Sequence, residues 1–277
     1  MNQISLAIRK LSENKVESFS QQLKQADGYK LVGRCKSIAE LRTIRPTMHG
    51  QRILVDAYYE GGSTGSGEFM ADLQDMTTPD DGGACIVVDG DNSGRWKRIC
   101  DKWYPEHFGA YADGVSDDTQ YIRRVINYAS SVHLSPVNYL ITEEIELNKS
   151  QKVKGDLNSV ITQSTFGRGI FKVNSHNCSI DGISFICAEA KRKLSESLGN
   201  RINGEVLRAR ASAIYVCSGV DGLYVDNCEI MNFINGVFFE GGADLRWRTN
   251  IPRIYNKNTF TLDEQDQEND GYWSDSI

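Results

Sequence analysis

The segment HFGAYADGVSDDTQYIRRVINYA at 107–129, and the absence of any long helical pattern after it, constrains the fold more than any other feature of the chain. Gly109 and Gly114 permit tight turns with positive φ. Ser116 is the expected N-cap of a helix, with Asp117 and Asp118 in the first turn, where the positive end of the helix dipole favours carboxylates. Ile122, Val125, Ile126 and Ala129 then form one apolar face. A helix with a single apolar face suits the open end of a stack of strands, which would otherwise expose unpaired edges and a bare core.

After Pro136 only short strands are predicted: Tyr139–Ile141, Ile145–Leu147, Val160–Ile161, Ile170–Val173, Ile183–Phe185, Ile214–Val216, Leu223–Val225 and Val237–Phe239. Two internal matches support stacked coils. Residues 180–185 resemble 220–225, and 177–180 resemble 227–230. These offsets, 40 and 50 residues, share no period. Coils of ~20–25 residues with inserted loops would accommodate both, with Cys178 stacked on Cys228. Residues 188–212 interrupt the strands with Lys191, Arg192, Lys193, Arg201, Arg208 and Arg210, and read as a solvated insertion or a basic loop facing an acidic partner. No end cap is recognisable in the acidic C-terminus, so the expectation is an N-terminal portion of a longer solenoid.

Ahead of this region, Ile4, Ile8 and Leu11, then Val16, Phe19 and Leu23, give two helical half-stripes over 4–26. They fit a trimeric neck, a helix docking on another protein, or an ordinary amphipathic helix equally well. Residues 31–104 read as a small β-rich module. Arg52–Val55 and Ala84–Val88 are strand-like, a short helix is expected around Ile38–Arg42, and Trp96 between basic residues reads as an edge or interface aromatic.

The order YYEGGSTGSGEF (58–69), PDDGGACIVVDG (79–90), GRWKRI (94–99) resembles a module near the N-termini of phage tailspikes and tail fibres. FGAYADGVSDDT resembles the opening of pectate-lyase-like right-handed β-helices. Together they imply a mainly β fold in three parts. An N-terminal helix (1–30) serves as tail anchor or neck. A small β-rich tail-attachment module (31–105) follows. The third part (106–277) is the start of a right-handed parallel β-helix with a capping α-helix. The resemblance further implies a homotrimeric virion protein made in the host cytoplasm, with a phage tail, baseplate or adaptor protein and bacterial surface polysaccharide as partners.

Composition agrees with this class. The formal net charge of −6 disfavours a general nucleic-acid binder, which needs a basic face. No stretch approaches a membrane span, and residues 1–19 lack the apolar region and cleavage site of a secretory signal. The seven cysteines form no CxxC pair and the four histidines lack metal-ligand spacing, so no metal and no cofactor is expected.

Glycan cleavage needs two carboxylates near one bond, or a base with cations to stabilise developing charge. Asp221, Asp226, Glu229, Glu240 and Asp244 are the candidate catalytic acids, and Arg246, Trp247 and Arg248 the candidate glycan contacts. Phe108, Gly109, Asp113, Gly114, Asp117 and Asp118 are read as a structural cap motif. The resemblance carries no catalytic motif onto this chain, so its own enzymatic activity stays open. Gly61-Gly62-Ser63-Thr64-Gly65 matches G-x-S-x-G, but in a Gly/Ser loop rather than a strand-to-helix turn. Three functions remain: the attachment and opening part of a spike, a complete capsule or O-antigen depolymerase (hydrolase or lyase), and a bacterial surface β-helix adhesin.

Overall fold

A computed structural model describes residues 10, 13–15, 17, 18, 21, 33–156, 158–165, 167–188, 212–233 and 235–240, and the backbone of 259–261. Within the predicted N-terminal helix the described residues are all helical, and the rest of that segment lies outside them. The chain divides into two compact units, Met1–Asp80 with Cys85–Ile99, and Asp81–Ala84 with Cys100–Ile277.

In the first unit, β1 (Gly33–Cys35) is followed by α1 (Ile38–Leu41), β2 (Arg52–Val55), β3 (Gly67–Asp72), β4 (Cys85–Val88) and β5 (Asp91–Ile99). The sheet order is β1-β2-β3-β5-β4. β1 and β2 run parallel, and the remaining pairs are antiparallel. Alternation decides the faces: Ile53 and Val55 point inward, Arg52 and Leu54 outward. Ser37 caps α1 by accepting from the Glu40 N–H, and this sets Ile38 and Leu41 onto a core with Phe69, Ile86 and Trp96.

In the second unit a 3-10 turn (Pro105–Phe108) precedes α2 (Thr119–Tyr128), and then strands wind through three parallel sheets. One sheet holds β6 (Ser131–Leu134), β9 (Lys152–Gly155), β12 (Ser179–Asp181) and β15 (Tyr224–Asp226). The next holds β7 (Asn138–Ile141), β10 (Val160–Gln163), β13 (Ser184–Cys187), β16 (Glu229–Met231) and β18 (Thr259–Thr261). The third holds β8 (Ile145–Leu147), β11 (Phe171–Val173), β14 (Ser212–Val216) and β17 (Asn235–Phe239). This is a parallel β-helix, and among the described residues its interior is mainly apolar. Tyr139, Ile161 and Phe185 stack in one column, and Phe171 and Phe185 meet edge to face at 5.8 Å across the interior.

The register agrees with coils of ~20–25 residues carrying an inserted loop, since Asn138 pairs with Val160 and Val160 with Ser184, but it corrects the stacking inferred from the internal matches. Ile180 pairs with Val225 and Ser184 with Glu229, an offset of 45 residues that includes the 188–211 insertion. Cys178 therefore sits in register with Leu223, and Cys228 with Ile183, each cysteine buried but not stacked on the other. The two Asp-Gly pairs that suggested an offset of 40 occupy different corners. Gly222 (φ 74) lies over Asn177 (φ 56), while Gly182 (φ 72) is in register with Asn227 (φ 51). Asn and Gly both tolerate the left-handed conformation, so they exchange between coils and blur the period. The basic residues of the insertion lie outside the described residues.

Candidate functional site

The arginines of GRWKRI are loop clamps. Arg98 is buried, donates to Ser66 O (2.8 Å) and Gly65 O (3.1 Å), and lies 4.6 Å over the Phe69 ring. It thereby holds the Gly/Ser loop that carries Ser63, an exposed residue with no strand-to-helix turn beneath it. Arg95, also buried, donates to Thr78 O (2.6 Å), Met76 O (2.8 Å) and Gly94 O (2.9 Å). Trp96 corrects the sequence reading. It is fully buried in the module's core and donates from Nε1 to Ile44 O at 2.9 Å, because strand alternation puts it on the inward face, opposite to Arg95 and Lys97.

Each residue of the cap motif has a separate task. Gly109 (φ 105) and Gly114 (φ 72) turn the chain, and Phe108 is fully buried in the β-helix core. Asp113 accepts from the Val115 (2.9 Å) and Ser116 (2.7 Å) N–H groups and the Ser116 hydroxyl (2.8 Å), which holds its carboxyl below the usual range. Ser116 is thus occupied, and α2 starts at Thr119 rather than just after Ser116. Asp117 is opposed by burial, yet hydrogen bonds from Thr119 and Thr142 keep its pKa low. Asp118 is fully buried and accepts from Tyr111 N (2.7 Å) and Ala112 N (3.0 Å). Burial, with Asp113 and Glu106 nearby, outweighs those bonds and raises its pKa to about 6.

The same segment closes the lower sheet edges. His133 N bonds Trp103 O, Asp118 N bonds Leu140 O (both 2.8 Å), and Arg123 Nη2 bonds Glu144 O (2.7 Å). Strand edges that would template aggregation are thereby paired. The predicted cap aspartates are bound up in these turns and edges rather than grouped around a substrate-sized opening.

The candidate acids do not converge. Asp221 donates its N–H to His176 Nδ1 (3.0 Å), and Glu229 accepts from Ser184 Oγ (3.3 Å). Glu240 follows β17 on another sheet, where it accepts from Ser218 N (3.3 Å) and from Tyr215. Asp244, Arg246, Trp247 and Arg248 lie outside the described residues. Asp226 is the exception, and its neighbour was missed. Register places Asp181 beside it, and Asn227 Nδ2 donates to both, to Asp181 Oδ1 at 3.0 Å and Asp226 Oδ2 at 3.1 Å. Those two oxygens are therefore no more than 6.1 Å apart. Tyr224 OH also donates to Asp226 (2.8 Å). Only the 45-residue register could have revealed the pair.

A second polar surface runs up the sheet of β8, β11, β14 and β17. Glu146, Lys172, Tyr215 and Phe238 project outward in one row. Lys172 pairs with Glu146 at 3.3 Å, and Tyr215 stacks on Phe238 with ring centroids 5.6 Å apart. Alongside, Asn174 Nδ2 donates to Asn148 Oδ1 at 2.7 Å. Among the described residues no His/Cys/Asp/Glu cluster could hold a metal ion.

Comparison with known proteins agrees with both units. The family described as phage tail protein small four-stranded beta-sheet domain matches residues 34–101. The Mu-like prophage FluMu defective tail fiber protein of Haemophilus influenzae is 69% identical over 119 residues, 43% of this chain and 19% of its own length. The tailspike protein gp49 of Acinetobacter baumannii bacteriophage Fri1, a capsular polysaccharide depolymerase, superposes with a TM-score of 0.59 at 14% identity. That match covers 76% of this chain and 40% of the other. The enzymatically active domain of bacteriophage CBA120 tailspike protein 2 gives a TM-score of 0.54 at 20% identity, over 81% of this chain and 36% of that one. The chain thus spans about a fifth of the curated tail fibre protein and well under half of either solved tailspike. Residues 34–101 thus carry a phage tail protein small four-stranded beta-sheet domain, and the second unit shares the parallel β-helix fold of the solved tailspikes.

Proposed function

We propose that this chain fastens a spike to the virion tail and opens the β-helix that engages bacterial surface polysaccharide. Residues 1–30 act as anchor or neck, 31–105 as the tail-attachment module, and 106–277 as the start of the glycan-engaging body. The spike is a homotrimer made in the host cytoplasm. The observation that carries this reading is the order of parts: a phage-tail β-sheet domain at 34–101, then a β-helix whose lower end is closed by its own cap. A spike needs one part committed to the tail and another that meets the cell surface. Light scattering on the purified chain tests the assembly, with an expected mass near three times 31.0 kDa. A monomer that binds no tail protein would overturn the reading.

One observation favours a second reading, that this chain itself cuts glycan. Asp181 and Asp226 sit on adjacent coils with facing oxygens within 6.1 Å. Retaining glycosidases hold their two carboxyl groups ~5–5.5 Å apart. In that reading one carboxylate attacks the anomeric carbon and the other, protonated, releases the leaving group. Release of reducing sugar from capsule, abolished in D226N, would support it. Intact capsule after incubation would sink it and leave the attachment reading standing.

A further inference from the structure

We infer that the cleft between the capping helix and the outer face of the first coils is a subsite for one acidic sugar, a hexuronate. The inference rests on the proposal that the β-helix engages polysaccharide, and adds to it a place and a chemical preference.

Arg123 and Asn127 on α2, Glu144, Glu146 and Asn148 around β8, and Arg168 before β11 enclose about 400 Å³. That is within the range of sites for small molecules (~300–1,000 Å³). Much of the wall is held by internal bonds. Arg123 is fixed by Glu144 O at 2.7 Å and by Glu143 at 2.8 Å. Glu146 is held by Asn148 (3.3 Å) and Lys172 (3.3 Å), and these two donors keep its carboxyl below the usual range. Asn148 is held in turn by Asn174.

Two polar heads, both solvent-exposed, stand at the mouth of this cleft. Among the described residues, the Arg168 guanidinium and the Asn127 carboxamide make no hydrogen bond or ion pair with their side chains. An unengaged guanidinium beside a polar cleft is matched best by a planar acceptor that takes two parallel N–H bonds, a carboxylate. The other groups dictate the rest of the ligand. Glu144 and Glu146 disfavour a second negative charge but accept hydroxyl protons, while Asn127 can both donate and accept. A molecule with one carboxylate at one end and hydroxyls around a ring satisfies all of them, and a hexuronate has that layout. Sulfate and phosphate have only acceptors or a higher charge, and a neutral hexose leaves Arg168 unpaired. Lys172, paired with Glu146 and next on the outward row, gives the neighbouring sugar of a chain a route toward Tyr215.

Calorimetric titration of the full chain with an oligogalacturonide tests this, with glucose and sodium sulfate as comparison ligands and light scattering on the same sample. Saturable binding of the uronate in preference to both comparison ligands is expected. R168M should weaken it about tenfold or more, the loss of a charge-assisted pair. R124M, on the same helix but outside the cleft, should leave it unchanged. Equal binding by R168M, equal affinity for sulfate, or no saturable binding would overturn the subsite. A trimer that fails to bind uronate sinks this inference alone, whereas a monomer sinks the spike reading itself.

Discussion

Replacing Asp118 by Asn removes one buried charge from the cap while keeping the side chain's shape. Asp118 is fully buried, and its folded-state pKa of about 6 stands above the ~3.9 of an unfolded aspartate. The folded chain therefore holds this proton more tightly than the unfolded chain does. The resulting stabilisation is fully present below the unfolded pKa and is lost as pH rises through about 6. Linkage over these two values gives about 1.4 kcal/mol of added stability on going from about pH 7.5 to about pH 5. Asp113, Asp117 and Glu146, whose pKa values are held low, act in the opposite sense on acidification. The diagnostic quantity is therefore the difference between the wild type and D118N. The carboxamide still accepts one of the two N–H groups, and the lost bond costs about the same at both pH values, so it cancels. Urea unfolding followed by circular dichroism at the two pH values measures it. The pH-dependent change should be about 1.4 kcal/mol more favourable to the acidic side in the wild type than in D118N. Equal changes in the two proteins would refute the argument that burial controls this carboxyl.

Two further substitutions probe the attachment module and the coil stack. R98M removes both carbonyl partners of the 65–66 loop and the contact over Phe69, and should destabilise the first unit by about 3 kcal/mol, read from Trp96 fluorescence during denaturation. G155A should cost about 3 kcal/mol or prevent recovery of folded protein, because a Cβ there overlaps the Gly182 carbonyl of the next coil and lies 2.9 Å from Ser159 Cβ. A soluble G155A with wild-type stability would show that the coils separate more readily than their packing indicates.

Local chemistry made the short strands and the capping helix legible from sequence, while the β-helix itself was implied by a resemblance. Alternating strands such as Asn138–Ile141 and Ile145–Leu147, and the apolar face of α2, follow from residue order alone, since side chains alternate across a strand and recur every three to four positions on a helix. The turn chemistry was legible for the same reason, with Gly109, Gly114 and Asp113 acting within a few residues of themselves. What the tertiary structure decided was which coils lie beside each other. An insertion shifts the register from ~20–25 to 45 residues, and Asn and Gly share the corner conformation, so no period in the sequence reveals that Asp181 meets Asp226 or that Cys178 and Cys228 do not meet. Long-range burial was equally invisible. Trp96 in GRWKRI reads as an edge or interface aromatic, yet Arg95, Trp96 and Arg98 are all interior, because carbonyls supplied by loops up to 33 residues away in the chain satisfy the two guanidinium groups there.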